Sequence, residues 1–167
     1  ATFWNKKEVC VSTPTNKETS RIAVEFEHST QEEWNVPCPA CGAFTPLLWA
    51  NIVFDRDKLD EIGCTCPACG VVSSETEWKE QYINGKFVAA HPERKVRGFH
   101  LNALASLFVD WREIVEKFLT ANEEKKKGNI ELLKVWTNTE MGETWEEDGE
   151  QIETDDLYKR REKYNCE

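Results

Sequence analysis

The chain has 167 residues, a formal net charge of −10 and 40% hydrophobic residues. This length allows one ordinary domain or two small ones, and the apolar fraction is sufficient for a packed core, so disorder throughout is excluded. The acidic balance argues against a generally basic nucleic-acid coat. No apolar run reaches the length of a membrane span or a signal-peptide core, so we expect an intracellular protein.

In chain order, the first predicted element is a β-like run at residues 8–11, which places Cys10 in a buried strand. This run ends in the polar turn Ser12-Thr13-Pro14-Thr15. Residues 21–28 have an apolar pattern that fits a strand or a helix, and we favour a helix capped by Ser20.

Short β-like segments surround the first part of the cysteine-rich region. Residues 34–37 lead into it, and residues 44–49 and 52–54 are predicted as strands of a hairpin-built ribbon. Further along, Ser74 and Glu77 form a capping-box pattern for a short helix. That helix is expected to extend through Tyr82.

The second half of the chain is predicted to add two short strands and a pair of helices. Residues 86–90 and 96–101 are β-like. Asp110 begins an amphipathic helix with apolar residues at helical spacing, and Gly128 separates it from a second helix, which suggests an antiparallel pair. The apolar residues of the two helices are Trp111, Ile114, Val115, Phe118, Leu119, Ile130, Leu133 and Trp136.

Most of the negative charge lies in one segment near the end of the chain. Residues 140–156 contain nine acidic residues and no Lys or Arg. Because like charges repel and resist burial, we interpret this segment as a solvated acidic linker, with a metal-binding or partner-mimicking segment as the alternative. A final helix is predicted at residues 157–164.

The cysteines carry the clearest chemical signal. Four of the seven belong to two copies of the pentapeptide Cys-Pro-Ala-Cys-Gly, at residues 38–42 and 66–70. Each C-x-x-C turn brings two thiolates to one side, and two turns supply the four sulfurs of a closed tetrahedral site. A closed site leaves no position for substrate, so we predict a structural zinc ion. Its predicted ligands are Cys38, Cys41, Cys66 and Cys69.

Other interpretations of the cysteines are weaker. A redox C-x-x-C pair requires one motif at a helix N-terminus rather than two matched turns. Cys64 is interpreted as a neighbour of the site or a spare ligand. Cys10 and Cys166 are expected to be free thiols.

Motifs for catalysis within the chain are absent. The sequence contains no phosphate loop of the G-x-x-x-x-G-K-[ST] type, no H-E-x-x-H and no nucleophile elbow. We expect His100 to be buried and hydrogen-bonded. Arg94, Lys95 and Arg97 are candidates for contacts with a DNA backbone, and a solvated basic face is the alternative.

Several short motifs follow one another in a distinctive order. They are Val11-Ser12-Thr13-Pro14-Thr15, Thr19-Ser20-Arg21-Ile22, the two cysteine pentapeptides, Gly98-Phe99-His100-Leu101-Asn102-Ala103-Leu104, Trp136-Thr137-Asn138-Thr139 with Gly142-Glu143, and Arg160-Arg161-Glu162. In order and spacing, over essentially the whole chain, this series resembles the middle of the large terminase subunit of lambda-like tailed bacteriophages. Those subunits join an N-terminal packaging ATPase to a C-terminal nuclease.

The resemblance implies a portion of a DNA-packaging motor in the cytoplasm of a bacterial host. Its partners would be double-stranded DNA, the small terminase subunit and the portal, with ATP and Mg²⁺ bound only in the full-length protein. Ser12, Thr13, Thr15 and Arg21 would belong to an ATPase coupling loop, for which an ordinary strand-ending turn is the alternative. Since the Walker motifs and nuclease carboxylates are missing, we expect this portion alone to be inactive.

We therefore predict an α+β fold in which a zinc-ribbon-like β module with a four-cysteine zinc site is followed by a helical pair and an acidic linker. The predicted divisions are an ATPase-domain tail (1–30), the zinc ribbon (31–92), a strand plus helical hairpin (93–139), the acidic linker (140–156) and the start of a nuclease-domain helix (157–167). The ribbon's predicted role is that of a structural interdomain connector. The alternatives are a free-standing nucleic-acid-binding ribbon, with Trp49 or Phe87 stacking on bases, and a fragment with residual nuclease activity.

Overall fold

A computed structural model describes residues 4–146 of the chain and shows a mixed α+β fold. The strands are β1 (Glu32–Pro37), β2 (Phe44–Pro46), β3 (Ile52–Asp55), β4 (Lys58–Thr65), β5 (Val72–Ser74), β6 (Lys86–Ala89) and β7 (Phe99–His100). The helices are α1 (Arg21–Glu27), α2 (Glu75–Glu80), α3 (Trp111–Lys126) and α4 (Glu131–Trp136). Among the helices of this part of the chain, none is long and apolar enough to cross a membrane.

The strands form two sheets, and each sheet contains one hairpin whose turn is a cysteine motif. In the first sheet, β1 pairs antiparallel with β2 and β6 and parallel with β7. In the second, β4 pairs antiparallel with β3 and β5. The β1–β2 hairpin turns at the first pentapeptide and the β4–β5 hairpin turns at the second. The two cysteine motifs are thus the tips of separate hairpins.

This pairing differs from the predicted ribbon. The segments at 44–49 and 52–54 contain β2 and β3, but these strands lie in different sheets and are separated by a 3-10 turn, Trp49–Asn51. The partner of β3 is β4, which the sequence analysis did not predict. Charged residues occupy the first half of β4, so its apolar pattern is weak, and only its pairing on both sides makes it a central strand.

The predicted strand at residues 8–11 is wrong. These residues form no strand, Val9 and Val11 are 82% and 90% exposed, and Cys10 is exposed as well. A β-like run becomes a strand only where a partner strand satisfies its backbone, and no partner lies there among the described residues. The predicted helix after Ser20 is confirmed as α1, although the Ser20 hydroxyl accepts a hydrogen bond from Thr15 N rather than capping the helix.

The helix predictions between residues 74 and 136 are confirmed, with one change in length. The Ser74–Glu77 capping box is present: Glu77 N donates to Ser74 Oγ at 3.4 Å, and Ser74 N donates to the Glu77 carboxylate at 2.8 Å. Helix α2 ends at Glu80, and a separate 3-10 turn contains Tyr82. Gly128, with φ of +90°, separates α3 from α4.

Helices α3 and α4 pack side by side. The indole Nε1 of Trp136, at the end of α4, donates to the carbonyl of Ile114 near the start of α3 at 3.1 Å. The helix ends that meet are opposite ones, so the pair is antiparallel, as predicted.

One buried cluster extends through both sheets and the helical pair. Its members are Val36, Cys38, Leu47, Ile52, Ile62, Cys64, Cys66, Trp78, Tyr82, Leu104, Trp111, Ile114, Val115, Ala121, Leu133, Trp136 and Met141. The fully buried indoles also use their N–H groups: Trp78 Nε1 donates to the Cys64 carbonyl at 3.2 Å, and Trp111 Nε1 donates to the Leu104 carbonyl at 3.0 Å. Since the cluster is continuous, the two sheets and the helical pair form one packed unit.

Polar contacts also attach the start of the helical pair to α2. The Glu75 carboxylate of α2 accepts a hydrogen bond from Trp111 N, at the first turn of α3, at 2.8 Å. The neighbouring Lys79 donates to the Val109 carbonyl at 2.8 Å. A negative charge at a helix N-terminus is favourable because the first N–H groups have no partner within the helix. These contacts fix the start of α3 on α2.

The beginning of the predicted acidic linker is folded rather than solvated. A π-helical turn, Thr137–Met141, continues α4, and Glu140 has a side chain only 14% exposed that pairs with Lys117 at 2.8 Å. Trp145 forms a β-bridge with Asn16, and Glu146 pairs with Lys17. The rest of the acidic segment, the helix predicted at 157–164 and Cys166 lie outside the described residues.

We predict that truncating one side chain of the shared core, on a helix, destabilises the sheets and the helices together. The variant Ile114→Ala removes a fully buried side chain, which should lower the free energy of unfolding by about 2–5 kcal/mol. Chemical denaturation should give one transition, in which the helical circular dichroism is lost and the buried thiols of Cys38, Cys64 and Cys66 become reactive at the same denaturant concentration. The matched control Leu132→Ala, at a half-exposed position of α4, should cost less than about 1 kcal/mol. Two separated transitions would contradict the shared core.

Candidate metal centre

The two cysteine motifs adopt the same turn. Gly42 N donates to the Cys38 carbonyl and Gly70 N to the Cys66 carbonyl, each at 2.8 Å. The two glycines have φ of +73° and +74°, a left-handed conformation that residues with a Cβ rarely adopt. The Gly at the end of each pentapeptide is therefore required by the backbone. The turns point their cysteine side chains toward one another.

Four sulfur atoms converge between the hairpins. All four Sγ atoms of Cys38, Cys41, Cys66 and Cys69 lie within 4.8 Å of one another. Two of the sulfur pairs join the two hairpins, Cys38 to Cys69 and Cys41 to Cys66, each at 3.9 Å. In a tetrahedral site with zinc–sulfur bonds of about 2.3 Å, sulfurs are about 3.8 Å apart. The spacing fits a four-coordinate metal.

The donor set and its surroundings favour a structural rather than a catalytic metal. Soft thiolate ligands select zinc or other thiophilic metals over Mg²⁺ or Ca²⁺. Cys38 and Cys66 belong to the buried core, whereas Cys41 and Cys69 are exposed. Four protein ligands complete a tetrahedron, so no coordination position remains for water or substrate.

Two thiols of the cluster differ widely in pKa. Burial raises the pKa of Cys66. Hydrogen bonds from the backbone N–H groups of Cys69 and Ala68 lower it by more than burial raises it, so the pKa is about 7. The Val71 N–H lowers the pKa of Cys69, but burial and the neighbouring sulfurs outweigh it and raise that pKa to about 11. One thiol of the cluster thus ionises readily and makes the next harder to ionise. A bound divalent cation would relieve this repulsion.

Cys64 lies outside the sulfur cluster. Its side chain is buried, its Sγ faces the Thr65 carbonyl at 3.8 Å, and burial raises its pKa to about 12. A thiol with this pKa stays protonated at neutral pH and packs as a small apolar group. This agrees with its interpretation as a neighbour of the site.

The residues predicted for an ATPase coupling loop lie together at the surface. Ser12, Thr13 and Thr15 are exposed, and Ser12 Oγ donates to the Thr13 carbonyl at 3.0 Å. Arg21, at the start of α1, has a largely exposed side chain that lies 3.8 Å from the Glu25 carboxylate. These residues do not approach the cysteine cluster. Contacts with Asn138 and Trp145 hold the Thr15 backbone instead.

The predicted basic cluster is divided between the fold and the solvent. Arg94 donates to the carbonyls of Glu27 and Ser29, and Arg97 makes a bidentate salt bridge with Glu32 at 2.7 and 2.8 Å. Lys95 is exposed. Two of the three side chains therefore connect the segment after β6 to residues 27–32, between the end of α1 and the start of β1.

Glu32 is a structural residue that the sequence analysis did not identify. It is 5% exposed, and the Arg97 guanidinium that donates to its carboxylate holds its pKa below the usual value, assisted by the Thr30 hydroxyl and opposed by burial. The sequence signal is slight, an acid at the start of a β-like run. His100, expected to be buried, is partly buried, and its Nε2 lies 3.0 Å from the Met141 carbonyl.

Two family models match the chain in succession. The model described as phage terminase large subunit gpA, ATPase domain, matches residues 1–87, and the model described as terminase large subunit gpA, endonuclease domain, matches residues 96–167. No curated protein and no solved structure is significantly similar to the chain. The first match ends within β6 and the second begins just before β7, and both of these strands pair with β1.

We predict that Glu32→Gln reduces the acid sensitivity of the fold. A carboxyl whose pKa is lowered on folding stabilises the protein above its unfolded pKa of about 4.5, and this contribution is lost as the pH falls through the folded pKa. The wild type should therefore lose more stability than the variant between pH 6 and pH 3, measured by thermal denaturation. At pH 7 the variant should be less stable than the wild type, whereas the neighbouring control Glu33→Gln should not be. Equal acid sensitivity of wild type and Glu32→Gln would contradict the role of this pair.

Proposed function

Because the chain belongs to the phage terminase large subunit gpA family, we propose that it contains a zinc-stabilised connector between the ATPase and nuclease parts of a DNA-packaging motor. The observation that carries the proposal is the convergence of four cysteine sulfurs at the tips of two hairpins. Cys38, Cys41, Cys66 and Cys69 would hold the zinc ion.

The zinc would act as a cross-link between the two hairpins. Strands β2 and β5 have three residues each, so their ladders alone hold the hairpins weakly. In small zinc-binding peptides the metal contributes ~10 kcal/mol of folding free energy. A contribution of this size would determine whether the ribbon is folded. It would also fix the hairpin that carries β1, the strand that pairs with both β6 and β7.

The connector role is supported by where the family matches meet. Residues 88–95, between the two matches, start in β6 and end before β7. Arg94 in this segment, and Arg97 just after it, hydrogen-bond to residues 27–32. The two matched parts therefore share a sheet and a core rather than a loose linker. Double-stranded DNA, the small terminase subunit and the portal are the proposed partners of the motor, with ATP and Mg²⁺ in its ATPase.

The alternative of a free-standing nucleic-acid-binding ribbon receives less support. It required Arg94, Lys95 and Arg97 to contact phosphates. Arg94 and Arg97 are already hydrogen-bonded within the protein, and leaving those partners would uncover backbone carbonyls and the buried Glu32 carboxylate. We therefore assign these arginines to the fold of the connector.

We predict that the protein binds one zinc ion per chain and depends on it for stability. Cys38→Ser and Cys66→Ser should each reduce the zinc content measured by elemental analysis to well below one. Each should also lower the free energy of unfolding by at least about 3 kcal/mol, since an incomplete ligand set forfeits part of the ~10 kcal/mol of a structural zinc. Chelation of the wild-type protein should have the same effect.

The matched control is Cys10→Ser. This thiol is exposed and lies outside the sulfur cluster, so zinc content and stability should equal those of the wild type. The proposal is wrong if the purified wild-type protein contains no zinc after supplementation, or if the Cys38 and Cys66 variants remain as stable as the Cys10 variant.

A further inference from the structure

The segment Thr137–Glu143 contains a buried amide that connects two distant parts of the chain. Asn138 is 8% exposed, and its Nδ2 donates two hydrogen bonds, to the Thr15 carbonyl at 3.0 Å and to the Glu143 carbonyl at 2.9 Å. The nitrogen of an asparagine amide carries two N–H groups, so one side chain can donate to two acceptors. The amide therefore joins residue 15 to residue 143.

Backbone hydrogen bonds continue the same connection. Asn16 and Trp145 form a parallel β-bridge, in which Trp145 N donates to the Thr15 carbonyl at 3.1 Å and Lys17 N donates to the Trp145 carbonyl at 3.0 Å. The Lys17 ammonium also pairs with the Glu146 carboxylate. The Thr15 carbonyl thus accepts from both Asn138 and Trp145. Loss of the Asn138 donor would weaken the bridge at its centre.

The position of Asn138 is itself constrained. It lies in the π-helical turn Thr137–Met141. Such turns are rare in proteins, and those that occur are often found at functional sites. Gly142 ends this turn with φ of +66°, and a Cβ at this position would lie 3.0 Å from His100 Nε2. The same His100 nitrogen contacts the Met141 carbonyl at 3.0 Å. The turn that presents Asn138 is therefore held against β7.

We propose that Asn138 is a positioning residue, a latch that fixes the turn at residues 12–15 and ties it to residues 143–146. The two tied segments lie in different family matches, the first in the ATPase match and the second in the endonuclease match. A displacement of one segment would thus be transmitted to the other without passing through the zinc ribbon. The further consequence, that the latch adjusts ATP turnover, rests on the proposed coupling role of Ser12, Thr13 and Thr15.

The chemistry explains why an amide is needed. Both acceptors are backbone carbonyls, and a carboxylate in the same place would present oxygen lone pairs to them. An aspartate is nearly isosteric with asparagine, so Asn138→Asp removes both donors with little change in volume. An alanine removes the donors and leaves the carbonyls without this partner.

Hydrogen exchange of the whole chain in its zinc-loaded form tests the latch. Asn138→Asp should increase the exchange of peptides that cover residues 12–20 and 143–146 by at least about tenfold, because the Lys17 and Trp145 amides lose their protection together. Peptides from α3 should keep their wild-type protection. The matched control Asn129→Asp should change neither segment, because the exposed Asn129 uses only its Oδ1, as acceptor for Glu131 N.

A second variant covers the case in which Asn138→Asp unfolds the protein. Ser20→Ala removes the hydroxyl that accepts from Thr15 N at 3.3 Å, and Ser20 makes no side-chain hydrogen bond to residues 143–146. A latch should transmit this change, so exchange should rise at residues 143–146 as well as at 12–20. Unchanged exchange at residues 143–146 in Ser20→Ala, or in a folded Asn138→Asp protein, overturns the proposal. Neither result depends on the zinc content, which tests the proposed connector separately.

Discussion

The convergence of four cysteine side chains at the tips of two hairpins is the constraint that brings the two sheets together. Two hairpins from different sheets bring Cys38, Cys41, Cys66 and Cys69 to within 4.8 Å, an arrangement that full ionisation alone would drive apart. The proposed divalent cation would turn this repulsion into attraction, and the hairpin tips would then hold both sheets in place. The buried cysteines continue directly into the core cluster, which includes Trp78 of α2 and Trp111 of α3. One core cluster thus extends from the cysteine site to the helical pair.

The features that the sequence predicted well are those coded over a few residues. The repeated pentapeptide predicted which four cysteines converge because each copy forms the same local turn, which needs Gly at its end. The Ser74–Glu77 box predicted α2 because both partners lie within one helical turn. Strand pairing is different because the partner is distant in sequence. Strand β4 was missed although it is the centre of its sheet, and residues 8–11 were given a strand although no described strand pairs with them.

Charge patterns were the least reliable guide, because a local run does not show its distant partners. The acidic segment looked solvated, yet Glu140 lies against Lys117 of α3 and Glu146 against Lys17 near the start of the chain. The basic residues Arg94 and Arg97 suggested phosphate contacts, yet both are engaged by residues 27–32. In each case a charged side chain is paired or hydrogen-bonded with a group more than 20 residues away. Such pairs are visible only after folding, so composition alone overstates the free charge of the surface.

The same distant contacts decide how the two matched parts of the chain can move. A hinge between residues 87 and 96 would have to separate β7 from β1, break the salt bridge of Arg97 with buried Glu32, and open the Asn138 connection between residues 15 and 143. These contacts lie on different elements, so a hinge must break them together, and the cost of each is greatest where the polar groups are buried. Residues 15–146 are therefore expected to move as one rigid body, which is the behaviour that the proposed connector requires. Relative motion of the two parts should therefore arise outside residues 15–146, or by release of the Asn138 latch at one edge.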